Sequence, residues 1–82
     1  MDQETQQEIE RLNSVVDEFA TEMKVRLREQ AIRGYRGWDD PEYYQQATKM
    51  MMEHASVSSG QEVDAANLAM ILWYLRQRGE VE

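Results

Sequence analysis

Residues 3–33 contain neither proline nor glycine, and Ile9, Leu12, Val16, Phe19 and Met23 recur among them at alternating steps of three and four. That spacing keeps one side of a helix apolar and turns the rest to water, so it predicts one long amphipathic helix whose stripe meets another helix. The next seam position is Arg26, which breaks the strict heptad; the apolar row resumes at Leu27 and Ala31 in four-residue steps. Two heptads are too few for a free-standing coiled coil. The stripe Ile9, Leu12, Val16, Phe19 and Met23 is instead the expected interface of an oligomer. Asp2 is placed to cap the helix start. Acids towards that end and bases towards the other are expected to complement the helix dipole, each contributing about 0.3–1 kcal/mol.

Gly34-Tyr35-Arg36-Gly37-Trp38 stops this helix, because glycine takes the left-handed conformation that a helix end requires. Asp40 then reads as an N-cap, Pro41 as the first helical residue and Glu42 as a first-turn acid, opening a second helix over about residues 41–55. Tyr43 or Tyr44, Ala47, Met50, Met51 and His54 supply its inner face. A polar loop over residues 56–60 leads to a third helix over about residues 61–78. Between Ala65 and Leu75 that helix is apolar nearly all round apart from Asn67, the pattern of the central, most buried element. The expected fold is therefore all-α: one domain, residues 1–82, with a long N-terminal helix packed on a two-helix hairpin.

A chain of 82 residues buries only about 60% of its unfolded surface, so association into a dimer or larger assembly is expected to help it. The absence of cysteine removes disulfides, thiolate metal sites and cysteine nucleophiles, and fits a cytoplasmic protein. No apolar run suits a membrane span, and the polar, acidic start does not read as a targeting segment. The net charge of −7 is unevenly spread. Residues 1–22 hold seven acids against Arg11, while residues 24–36 hold Lys24, Arg26, Arg28, Arg33 and Arg36 against Glu29. A nucleic-acid binder usually presents a dominant basic face, so nucleic acid is not an expected partner.

Candidate chemistry is sparse. Glu18 and Glu22 share a helix face but lie towards solvent, and His54 is the single histidine, which leaves no material for a Ser-His-Asp set. It is read as a packing or helix-end residue. Met50, Met51 and Met52 cannot all face inward, which favours an adaptable, adhesive surface. Asn67 sits in an apolar helix, so its amide is expected to be buried and bonded, either to the turn at residues 34–40 or to a partner helix. The alternative groups Asp64, Asn67, Trp38 and Arg36 in one polar pocket. No catalytic residue is assigned.

The run Arg36-Gly37-Trp38-Asp39-Asp40-Pro41, then Glu53-His54, then Val63-Asp64-Ala65-Ala66-Asn67-Leu68-Ala69-Met70-Ile71-Leu72, resembles small helical proteins of phage and prophage genomes. Those look like relatives of the MazG-type all-α nucleotide pyrophosphohydrolases, and the resemblance covers residues 27–79. In active members, magnesium is held by a Glu-x-x-Glu pair on one helix and a Glu/Asp pair on the next. Glu53 matches one carboxylate of the first pair, with Ser56 where its partner belongs. Asp64 matches the later aspartate, with Gln61 where an acid belongs. The resemblance thus implies phage context and argues against activity. The expected function is a phage-type accessory protein of the host cytoplasm. It would bind itself and a host protein, inhibiting or modulating a host factor or defence system, without catalysis or cofactor. The alternatives are a reduced pyrophosphohydrolase, with Glu53 and Asp64 as weak magnesium ligands, and an acidic mimic of nucleic acid.

Overall fold

A computed structural model describes residues 2–55 and 60–79. Three α-helices follow one another: α1 over Gln3–Ile32, α2 over Tyr44–His54 and α3 over Glu62–Gln77. Among the described residues there is no strand, and no helix is long and apolar enough to cross a membrane. The expected loop at residues 56–60 lies, apart from Gly60, outside the described residues.

The helix ends show why the chain stops and starts where it does. The Asp2 carboxylate accepts the Thr5 backbone N–H at 2.7 Å, and this bond holds its pKa below the ordinary value. At the other end Gly34 takes φ +95°. Its N–H donates to the Ala31 carbonyl at 3.0 Å and the Tyr35 N–H donates to the Gln30 carbonyl at 3.1 Å, the paired bonds of a Schellman motif. The Arg36 guanidinium reaches back to the Ala31 and Tyr35 carbonyls at 3.0 and 2.9 Å. The last turn of α1 itself contains no basic residue, and its first turn contains one acid, Glu4. The dipole is therefore met at the ends by the Asp2 cap and by Arg36 on the Ala31 carbonyl, not by bases within the last turn.

The second helix begins more tightly than the sequence predicts. Residues Pro41–Tyr43 form a 3₁₀ turn, and the α-helix starts only at Tyr44. The Asp40 carboxylate accepts the Glu42 N–H at 2.9 Å, and its carbonyl accepts the Tyr43 N–H at 2.9 Å. Those two short-range bonds close the tighter turn. Asp40→Ala is expected to cost about 0.5–2 kcal/mol, read as a lower midpoint in thermal circular dichroism. An unchanged melting curve would mean that the cap carries none of the helix's stability.

The core lies between α2 and α3. Its buried apolar residues are Ala47 on α2 and Leu68, Ile71 and Leu75 on α3, with Asn67 buried beside them. The steps of three and four from Leu68 to Leu75 give α3 one inward stripe. The opposite side of α3 is open, with Trp73 61% exposed. Among the described residues α3 is the central and most buried element, as expected, packing on both α1 and α2 and carrying Asn67, Leu68, Ile71 and Leu75, although two neighbours cannot surround it. The hairpin is clasped at both ends, by Arg76 donating to the Tyr44 hydroxyl at 2.5 Å and by a bond between the His54 and Gln61 side chains. Of the methionine run, Met50 and Met51 are half-buried and Met52 is exposed.

α1 contributes no fully buried residue. Its half-buried positions are Ile9 and then Phe19, Ala20, Met23, Arg26, Leu27 and Gln30. A 30-residue helix is about 45 Å long, matching the molecule's 46 Å longest extent, whereas the 16 residues of α3 span about 24 Å. The C-terminal half of α1 therefore meets the hairpin, and the N-terminal half projects past it.

Candidate functional site

A cleft of about 910 Å³ opens beside α3 between α1 and α2. α1 lines it with Arg26, Leu27, Gln30 and Ala31, and the glycine-bounded turn with Tyr35, Arg36 and Trp38. Tyr43, Gln46, Met50 and His54 face it from the second helical segment, and Asp64, Asn67, Leu68, Met70 and Ile71 from α3. The tight turn at Gly34 brings the chain back across the end of α1, which puts Trp38 against α3. The Trp38 and Tyr74 rings meet edge to face with centroids 5.1 Å apart. Such a pair adds about 0.5–1.5 kcal/mol beyond the area it buries.

One cross-link fastens α1 to α3. The Arg26 Nε donates to Asp64 at 2.9 Å, with both side chains partly buried, and an Arg26 nitrogen lies 3.3 Å from Glu29. The Asp64 hydrogen bond, then its charge, raises the Arg26 pKa, so the guanidinium stays protonated throughout. A pair with this exposure contributes on the order of 1 kcal/mol or less. Its main effect is positional: it fixes the two helices that wall the cleft.

Beside this pair lies Asn67, 5% exposed. Its Nδ2 donates to the Met23 carbonyl at a long 3.4 Å. Its Oδ1 is buried, and among the described residues nothing donates to it. A buried acceptor without a donor costs about 1–3 kcal/mol, so the site holds an uncompensated demand for an N–H or O–H group.

All four residues assigned to a polar pocket, Asp64, Asn67, Trp38 and Arg36, line this one cleft. The two weak metal candidates are separated in kind. Asp64 lines the cleft but is held by Arg26, whereas Glu53 is exposed and does not line it. Ser56, where the resemblance places a missing partner acid, is outside the described residues. Among the described residues no three His, Asp or Glu side chains gather as metal ligands.

The stripe assigned to an oligomer interface divides. Met23 and Phe19 are half-buried, and the Met23 carbonyl is bonded to α3; Leu12 and Val16 stand 58% and 61% exposed on the projecting half. Ile9 is half-buried, and Glu18 and Glu22 are exposed, flanking a shallow surface depression with Val15, Phe19 and Thr21. Sequence reasoning missed Arg26 as a cleft residue. The available signal was its position: a charged residue standing where the apolar seam should continue needs a partner across the interface.

No family model, no curated protein and no solved structure matches the chain. The functional argument therefore rests on the site itself.

Proposed function

We propose that this chain is a small, non-catalytic binding protein that works as an assembly of two or more copies and engages a segment of another protein in its cleft. The observation that carries this reading is the composition of the cleft. Its mouth presents Tyr35, Trp38 and Met70, exposed at 65%, 43% and 38%, next to the guanidinium of Arg36. Aromatic rings, methionine and arginine are the side chains enriched at protein interfaces, and the rings offer large contact area at low entropic cost. The one acid that lines the cleft, Asp64, is already engaged by Arg26. The phage-type accessory role, acting on a host factor, belongs to this proposal through the resemblance described above.

The test is capture from a lysate of the encoding cell, followed by reconstitution with the purified partner. Tyr35→Ala with Trp38→Ala should weaken the reconstituted complex at least tenfold while the helical signal persists. Binding indifferent to both substitutions would remove the cleft from the reading.

The second reading, a reduced nucleotide pyrophosphohydrolase, is favoured by one observation: the unsatisfied Asn67 oxygen and His54 share the cleft. Pyrophosphate release from a panel of nucleoside triphosphates with magnesium or manganese is expected to stay at background. Turnover abolished by Asp64→Ala in a folded protein would establish this reading instead.

A further inference from the structure

The cleft holds a polar atom that the fold leaves without a use. Asn67 lines the cleft and is 5% exposed, with its Nδ2 turned to the Met23 carbonyl on α1. The two amide atoms diverge from one carbon, so the oxygen faces away from that bond. It is buried, and among the described residues nothing donates to it. The charged groups around the cleft are engaged. Arg26 donates to Asp64, Arg36 to the Ala31 and Tyr35 carbonyls, and His54 is bonded to Gln61.

These contacts narrow the group that the cleft can take. Asn67 can accept, but its own donor is spent on Met23, so a hydroxyl or an amide docked there would bring an acceptor that Asn67 cannot meet. A lysine or arginine would bring a buried charge beside an acid that Arg26 already pairs, at a desolvation cost. The indole of tryptophan is a neutral side chain that donates and does not accept. Its flat apolar body suits the walls made by Leu27, Leu68 and Ile71, with the Trp38 ring at the mouth. Met50 and Met70 also line the cleft, and unbranched thioether chains give way to an entering ring. The volume of about 910 Å³ exceeds that of a single ring system, so residues flanking the indole fit beside it.

We infer that the cleft is a pocket for a tryptophan side chain of the partner segment, its indole N–H donating to the Asn67 Oδ1. This deepens the protein-binding reading of the cleft and rests on it. The aromatic mouth supplies contact area, and the buried oxygen supplies selectivity. A site built around a hydrogen bond discriminates against a ligand that lacks the donor, because its own polar group is then left unpaired.

The probes are indole and benzofuran, which has the same shape with an oxygen in place of the N–H. The chain has two asparagines, Asn13 and Asn67, so isotopic labelling of asparagine alone gives two side-chain amide signals in NMR spectra, and Asn67→Leu assigns them. Indole should bind about tenfold more tightly than benzofuran and shift the Asn67 signal. In Asn67→Leu the preference should vanish; should that variant fail to fold, the comparison on the unaltered chain still decides. Equal binding of the two probes, or no binding of indole at millimolar concentration, overturns the pocket while leaving the partner free to use other contacts of the cleft. N-acetyltryptophanamide should bind at least as well as indole. Indole bound without the amide makes the ligand a free aromatic molecule and overturns the partner side chain. Excess indole should also weaken the reconstituted complex. A complex indifferent to it, with indole still preferred over benzofuran, keeps the N–H pocket and overturns its use by a partner.

Discussion

Leu75→Ala is expected to lower the thermal midpoint by at least 10 °C, the largest loss of any single truncation in the chain. Leu75 is the largest fully buried side chain among the described residues. Deleting a buried leucine to alanine costs about 2–5 kcal/mol, as lost transfer energy plus the cavity left behind. A domain of this size has a total stability of roughly 4–12 kcal/mol, and each kilocalorie moves its midpoint by about 4–8 °C. Among the described residues the buried apolar set is Ala47, Leu68, Ile71 and Leu75, so few neighbours are available to close the cavity. Met52→Ala is the matched control: the side chain is 68% exposed, and its removal should change stability by less than about 0.5 kcal/mol. If the two variants melt together, the core is not where the structure puts it.

Local chemistry made much of this fold legible. A proline- and glycine-free run with 3-4 spacing gave α1; Gly34 gave its end; Asp40 and Pro41 gave the start of the next segment. Each signal is read from a few neighbouring residues, because caps and turns are closed by bonds over two to five positions. Trp38 against Tyr74 was also within reach, since an aromatic just after a tight turn has few places to go. What could not be read depends on neighbours distant in sequence. The heptad carried no information on how far the hairpin reaches along α1, so Phe19 and Met23 were grouped with Leu12 and Val16 although the fold treats them differently. Exposure of Trp73 follows from the number of helices available to cover α3, which no window of its own sequence contains. Arg26 and Asp64 are 38 residues apart, and only the packed helices show that one neutralises the other. Asn67 stands out because it interrupts an apolar helix; its convergence with Asp64, Trp38 and Arg36 belongs to the tertiary structure.

Asn67→Leu should act in the opposite direction to Leu75→Ala, although the two residues lie on the same helix and both are buried. The substitution removes an acceptor that has no donor among the described residues and a donor bonded only at 3.4 Å. An orphaned buried polar atom costs about 1–3 kcal/mol, and a hydrogen bond that long returns little of it. Leucine is similar in size, and the adjoining cleft gives room for the difference. The expected result is a gain of about 1 kcal/mol, or roughly 4–8 °C in the melting midpoint. The same variant should lose the reconstituted complex with the cleft's partner, because the oxygen that seeks a donor has gone. A rise in stability coupled to a loss of binding is the behaviour of a group kept for function at a cost to the fold. The bland account of Asn67, a register-fixing bond to α1, requires the reverse. On that account the leucine variant melts lower by a kilocalorie or more and binds as before, because the Met23 contact would be the amide's whole purpose. Measuring both quantities on one variant separates the two accounts, since neither predicts the other's combination of signs.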